Sequence, residues 1–317
     1  MYGLKKDWDL EPRVRQFVLA DYQSNVPRWC PGCGDSAVLS ALQRLARDEQ
    51  LPPEKTVVVS GIGCSSRLPH YMKTYGFHGL HGRPLPVACG VRSRRPDLHV
   101  FVVTGDGDNC AIGTAHWIHA IRYNMKMTVL LFDNNIYSLT KMQTSPTTKR
   151  GDFSYTHPMG APLNPLDPLS VTLAITNASF VAQTIDWNPM HVEATIRAAH
   201  AHPGLSFIRI LQRCPHYNPM VWQPLQQDPS LIRLLVHPDG IPADDTVRKI
   251  FKNQLEHDPA DLSAAKDIAA ATDAVPVGLL HRNVNAERYD FATAQGLTME
   301  TDERVQAIQA EIDRFLV

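Results

Sequence analysis

The chain has 317 residues, a formal net charge of −1, 44% hydrophobic residues and 20% charged ones. That balance belongs to an ordinary globular protein, and it excludes a strong electrostatic pull toward nucleic acid or an anionic membrane. No apolar run approaches the ~20 residues of a membrane helix, and Met1-Tyr2-Gly3-Leu4-Lys5-Lys6-Asp7 lacks the apolar stretch of a signal peptide, so a cytoplasmic protein with no nucleic-acid or membrane partner is expected.

Residues 1–28 read as an irregular or partly helical arm. Trp29-Cys30-Pro31-Gly32-Cys33-Gly34 follows, with a C-x2-C pair. From Asp35 the apolar spacing of Val38, Leu39, Leu42, Leu45 and Ala46 predicts a helix. Thr56–Ser60 reads as a buried strand running into Gly61-Ile62-Gly63-Cys64-Ser65-Ser66. His99–Thr104 is a second, running into Gly105-Asp106-Gly107-Asp108. A helix from about Ile112 to Arg122 leads to a third strand, Met127–Phe132, which ends in Asp133-Asn134-Asn135-Ile136-Tyr137. The Thr-, Ser-, Pro- and Gly-rich stretch from Lys141 to about Pro168 has no period, and so long a stretch inside a domain is more often functional than idle. Ser179–Ala182 and Ser206–Leu211 read as strands flanking a helix at about 189–201. Beyond about Asp228 the pattern is helical, as in Val305, Ile308, Ile312 and Leu316.

Wholly apolar strands alternating with helices predict a mostly parallel α/β sheet with helices on both faces. The expected division is an arm (1–28), an α/β domain (29–227) and a helical C-terminal extension (228–317). The unusual residues fall just past the carboxyl ends of strands, where open α/β sheets bind ligands.

Gly105-Asp106-Gly107 and Asn134-Asn135 offer a carboxylate and an amide at neighbouring strand ends. Both are hard oxygen donors suited to Mg²⁺ with a phosphate partner. The glycines admit a diphosphate, and the helix amino terminus near Ala111–Thr114 offers N–H groups to it. Taken singly, each motif is also what tight turns use. Six cysteines in a cytoplasmic chain are not a disulfide framework. On spacing alone, C-x2-C with Cys64 and Cys214 serves structural zinc or an iron–sulfur cluster. Cys89 and Cys110 read as core cysteines. Of fourteen histidines, His81 in His81-Gly82-Arg83 stands out, while His70 and His116 read as packing or capping residues.

With Trp29–Gly34, Gly61–Ser65 and His81–Arg83, the Gly-Asp-Gly and Asn-Asn pair resembles the thiamine diphosphate-binding β subunit of the 2-oxo acid:ferredoxin oxidoreductases. The resemblance covers roughly residues 25–215. It implies the thiamine diphosphate-binding fold, with Mg²⁺ on Asp106, Asn134 and the Ile136 carbonyl. It also implies a [4Fe-4S] cluster on Cys30, Cys33, Cys64 and Cys214. The cofactor would lie against Ile62, Gly63, Cys64, Ser65, His81, Gly105, Asp106, Gly107, Asp108, Asn109, Asn134, Ile136, Tyr137 and Leu139.

Lys141, His81 and Arg83 are the implied catalytic residues. The Leu139-Thr140-Lys141 version resembles the 2-oxoglutarate type, in which the cation meets a distal carboxylate that pyruvate lacks. Met142 stands where the family usually has glycine. Coenzyme A accepts the acyl group, and a free ferredoxin the electrons. The pyrimidine-side glutamate of thiamine enzymes has no home here, which implies an α subunit and a dimer of αβ heterodimers. The rivals are a pyruvate, aryl pyruvate or broad-specificity enzyme, a non-redox thiamine lyase or synthase, and a zinc-stabilised binding module.

Overall fold

A computed structural model describes residues 16–294 and 301–315; the expectations placed on Met1–Asp7 and Leu316 lie outside them. In chain order the elements are α1 (Asp35–Asp48), β1 (Thr56–Ser60), β2 (Tyr75–His78), α2 (Pro84–Arg94), β3 (His99–Gly105), α3 (Thr114–Tyr123), β4 (Met127–Asp133), β5 (Ile136–Tyr137), β6 (Gln143–Thr144), α4 (Pro168–Ala174) and β7 (Phe180–Ile185). Then follow α5 (Pro189–Ala201), β8 (Leu205–Leu211), α6 (Gln223–Gln227), β9 (Ile232–Val236), α7 (Asp245–Ile250), β10 (Gln254–Glu256), α8 (Leu262–Ala270), β11 (Val275–Arg282), α9 (Tyr289–Ala294) and α10 (Thr301–Asp313).

Nine strands form one sheet in the order β10-β9-β11-β7-β8-β4-β3-β1-β2. Every pairing in it is parallel except β11 with β7. The central strands β3 and β4 are apolar because both faces are covered. On one face α1 and α5 pack over Phe101, Val103, Leu130 and Ile208. On the other, α2, α3, α4 and α8 cover Val102, Val129, Leu131 and Phe207, with Trp117 of α3 stacked on Phe207 at 5.6 Å between ring centroids. The helix starts are chemically marked. Asp167 caps α4 by accepting from Ser170 N at 2.8 Å, and Asn188 caps α5 by accepting from His191 N at 3.1 Å; a proline follows each.

Register positions the site. Gly105 pairs with Phe132, and Asp133 with Leu211. The turns that follow β3, β4 and β8 therefore stand side by side at one edge. Between β3 and α3 lies a π-helical turn, Asp108–Ile112, which sequence periodicity does not reveal.

The stretch beyond residue 228 differs from the helical expectation. It contributes β9, β10 and β11 to the same sheet, alongside α7 and α8. β9 and β10 are short, and β11 carries Pro276 and Gly278 with a register shift near Leu279, features that disguise a strand. The last part of the arm is anchored: Tyr22 is buried, and its hydroxyl donates to the Leu51 carbonyl at 2.7 Å. No helix of the described residues is long and apolar enough to cross a membrane.

Candidate active site

At the carboxyl ends of β1, β3, β4 and β8 lies a cavity of about 330 Å³. Ile62, Gly63, Cys64, Ser65, His81, Gly105, Asp106, Gly107, Asp108, Asn134, Ile136, Tyr137 and Leu139 line it, joined by Phe132, Ser138, Thr140, Gln143 and Gln212. Asn109, Arg83, Lys141, Cys30, Cys33 and Cys214 do not line it.

Asp108 ties three segments together. Its Oδ1 accepts from Ile62 N at 3.2 Å and Gly82 N at 2.7 Å, and its Oδ2 accepts from Thr104 Oγ1 at 2.7 Å. His81 Nδ1 lies 2.7 Å from the same Oδ1. His81 Nδ1 is nevertheless without a hydrogen-bond partner, so the contact brings ring and carboxylate close without fixing the tautomer. Gly61 has to be glycine here, because a β-carbon would run into the Asp108 carboxylate. Asp108 thus serves the cavity as its framework as well as part of its wall.

Asp106 is only 2% exposed. Burial, and then the neighbouring Asp133, push its carboxyl up to about 7. Its Oδ2 accepts from Ser145 Oγ at 2.6 Å and Thr147 Oγ1 at 2.7 Å. Thr147 Oγ1 also stands 2.9 Å from Asp133 Oδ1, although one hydroxyl has one proton to give. Asp133 is held by Arg209, whose Nε donates to its Oδ2 at 2.8 Å and which also pairs with Asp167 at 3.1 Å. Two hydroxyls and the Gly107 backbone N–H answer the Asp106 carboxylate, all neutral donors, so a cation would supply the positive charge. The donor set fits Mg²⁺.

Asn134 follows β4 with its amide fully engaged. Oδ1 accepts from Ile136 N at 3.3 Å, and Nδ2 donates to Gln212 Oε1 at 2.6 Å and Ser138 Oγ at 3.4 Å. Thr148 Oγ1 donates to the Asn135 carbonyl at 2.5 Å. The Tyr137 hydroxyl donates to the Gly107 carbonyl at 3.1 Å, and its ring lies where a Gly107 β-carbon would be. The aperiodic stretch is therefore functional scaffold, since Ser145, Thr147 and Thr148 pin both turns. Sequence reading missed these three and Gln212; the Ser-Pro-Thr-Thr run in that stretch was the available signal for the former.

The four cysteines Cys30, Cys33, Cys64 and Cys214 are free thiols. Cys33 and Cys64 lie within electrostatic range of each other and of Cys214, and Cys64 also of Cys30. Burial raises the thiol pKa of Cys33 and Cys214, and pushes that of Cys64 up to about 11. Among the described residues no three His, Cys, Asp or Glu side chains already stand as a metal site; the thiols share a neighbourhood and not a finished coordination sphere. Donors point at the sulfurs: Gln212 Nε2 lies 3.3 Å from Cys33 Sγ, and Ser138 Oγ 3.4 Å from Cys64 Sγ. Three buried or half-buried thiols and the exposed Cys30, with N–H and O–H donors at Cys33 and Cys64, suit an iron–sulfur cluster, whose positive core would favour the thiolates. Cys110 is buried in the core cluster, and Cys89, on α2, is half-buried against it.

Lys141 and Arg83 stand outside the cavity lining. Lys141 is exposed, on a turn where it and Met142 both adopt left-handed backbone, φ 73° and 63°. Met142 thus takes the conformation glycine favours. Arg83 donates to the Ile112 carbonyl at 3.2 Å, which braces the His81–Gly82 turn against the π-helical turn. Asn109 is buried with its Oδ1 unpartnered.

Comparison with known proteins agrees with this geometry. Residues 61–210 match the family model described as thiamine pyrophosphate enzyme, C-terminal TPP binding domain. The chain is 37% identical over 289 residues to the 2-oxoglutarate oxidoreductase subunit KorB of Mycobacterium tuberculosis, covering 90% of this chain and 76% of that one. It is 34% identical over 278 residues to the 2-oxoacid:ferredoxin oxidoreductase 1, subunit beta, of Aeropyrum pernix, covering 87% and 85%. A solved structure of 2-oxoglutarate:ferredoxin oxidoreductase from Magnetococcus marinus, with 2-oxoglutarate, coenzyme A and succinyl-CoA bound, superposes with a TM-score of 0.80 at 34% identity, over 94% of this chain and 97% of that one.

Proposed function

This chain belongs to the β subunits of the 2-oxoacid:ferredoxin oxidoreductases, and we propose that its enzyme oxidises 2-oxoglutarate with thiamine diphosphate, Mg²⁺ and one [4Fe-4S] cluster. The overall reaction converts 2-oxoglutarate and coenzyme A to succinyl-CoA and carbon dioxide, with two electrons leaving singly to ferredoxin. One observation carries the reading: Cys64 lines the cofactor cavity and also belongs to the group of four thiols. Carbon chemistry and electron outlet then share a wall.

Asp106 and Asn134 side-chain oxygens and the Ile136 carbonyl hold the metal. Gly105 and Gly107 admit the diphosphate, with Asp108 and Asn109 behind them and Ile62, Gly63, Ser65, Tyr137 and Leu139 along the walls. Cys30, Cys33, Cys64 and Cys214 hold the cluster. When bound, the thiazolium supplies the electron sink for decarboxylation and the cluster a one-electron outlet. His81, in the cavity wall beside the Asp108 carboxylate, meets the substrate, and Arg83 keeps that turn in place. Lys141, on the rim beside Leu139 and Thr140, meets the distal carboxylate. An α subunit completes the pyrimidine side, in a cytoplasmic dimer of αβ heterodimers.

The test uses the αβ complex purified without oxygen. It should be brown, with iron and sulfide that Cys64→Ser removes; a colourless complex with stoichiometric zinc refutes the cluster. Lys141→Ala should raise KM for 2-oxoglutarate about tenfold, on the order of one ion pair, and leave pyruvate turnover alone. Equal effects on both substrates favour the broad-specificity reading.

A further inference from the structure

Gln212 immediately follows β8, is 2% exposed and lines the cavity. Every polar atom of its amide is committed. Oε1 accepts from Asn134 Nδ2 at 2.6 Å; Nε2 donates to the Arg213 carbonyl at 2.5 Å and faces Cys33 Sγ at 3.3 Å. The orientation is forced, since a carbonyl only accepts and the NH₂ must therefore face Arg213. The two N–H protons then serve one acceptor each. One planar amide joins the turn after β4 to a cysteine.

We propose that Gln212 is a positioning residue that couples the occupancy of the metal turn to the redox potential of the cluster. This rests on the reading above, with metal on Asn134 and cluster on Cys33. An N–H given to a cysteine sulfur stabilises the extra electron of the reduced cluster and raises its potential. A cation on the Asn134 carbonyl oxygen makes its Nδ2–H a stronger donor to Gln212 Oε1. Polarisation through the amide strengthens the Nε2–H given to Cys33, as in any hydrogen-bonded chain. Loading the metal therefore raises the cluster potential. By thermodynamic reciprocity, the reduced cluster tightens metal and cofactor binding by the same factor. A parallel branch exists at Ser138, whose Oγ accepts from Asn134 Nδ2 and lies 3.4 Å from Cys64 Sγ.

The experiment is an anaerobic redox titration of the αβ complex, followed by the cluster's electron paramagnetic resonance, with no 2-oxo acid present. It is run with and without Mg²⁺ and thiamine diphosphate, on wild type and Gln212→Met. In wild type, loading should shift the midpoint upward. In Gln212→Met the midpoint should be lower and the shift smaller. A side chain that merely fills space changes neither. A wild-type midpoint that ignores loading overturns the proposal without any variant. So does a Gln212→Met complex with wild-type midpoint and shift. If Gln212→Met does not assemble, Gln212→Glu keeps the acceptor for Asn134 and removes the N–H to Cys33, and its shift should be smaller than in wild type; an undiminished shift overturns the proposal. Failure of the underlying reading looks different: no iron signal in wild type, or cofactor binding indifferent to Asp106→Asn.

Discussion

Asp108→Asn isolates the worth of one charge at an almost unchanged shape. In the native chain the carboxylate accepts from Ile62 N, Gly82 N and Thr104 Oγ1 and lies beside His81 Nδ1, with a side chain 1% exposed. A hydrogen bond to a buried charge contributes about 1 kcal/mol more than its neutral counterpart. Three such donors make the expected loss about 3 kcal/mol. For a chain of this size that corresponds to a fall in Tm of about 6 °C. Asp108→Ala should cost more, because it strands two backbone N–H groups and a hydroxyl in the interior, at roughly 1–3 kcal/mol each. Activity should fall further than stability, since the charge beside His81 is lost from the cavity wall, and the effect should appear in kcat. The assay pairs thermal unfolding of the αβ complex with 2-oxoglutarate-dependent reduction of ferredoxin. An Asn variant that unfolds within a degree of wild type and turns over normally would falsify the role given to Asp108.

Thr147→Val removes one of two hydroxyls from Asp106 Oδ2. The apparent affinity for Mg²⁺, read from Mg²⁺-dependent thiamine diphosphate binding, should drop on the order of tenfold, with Thr147→Ser restoring it. Cys110→Ser and Cys89→Ser should leave iron content unchanged, in contrast to Cys64→Ser; loss of iron in either would enlarge the ligand set. His191 is buried and burial lowers its ring pKa to about 4. A lowered histidine contributes stability above its unfolded pKa of about 6.5 and loses it as pH falls through about 4. Unfolding temperature should therefore decline between those values, less steeply in His191→Gln; parallel pH profiles would contradict this. Met142→Gly should raise Tm slightly, because relief of the left-handed backbone, ~1 kcal/mol, outweighs glycine's entropy cost.

The centre of the sheet was legible because its signals are local. Thr56–Ser60 and 189–201 have the bounds read from the sequence, and β3, β4 and β8 agree within a residue. Apolar runs bounded by Gly, Asp and Asn leave little choice there. The cavity wall followed, since motifs at parallel strand ends must converge. The C-terminal strands escaped because β11 contains the proline and positive-φ glycine that usually argue against a strand. β2 escaped because it is a four-residue exposed edge strand, too short for its pattern to stand out. Gln212, Ser145 and Thr147 were invisible for another reason: each acts through a hydrogen bond to a residue distant in sequence, and nothing near it marks the partner. Lys141 was assigned from its neighbours, and its neighbours are indeed what line the cavity.

The π-helical turn at Asp108–Ile112 separates two demands on one helix. Such a turn holds one residue more than an α-helical turn, so everything after it is rotated by about 100°. At its start, Asp108 answers to the cavity. Downstream, Trp117, Ala120 and Ile121 answer only to the sheet beneath them. Were the turn made regular by deleting one residue, Trp117 would swing off Phe207 while Asp108 stayed where it is. The extra residue therefore lets substitutions on the chemical side accumulate without disturbing the packing side.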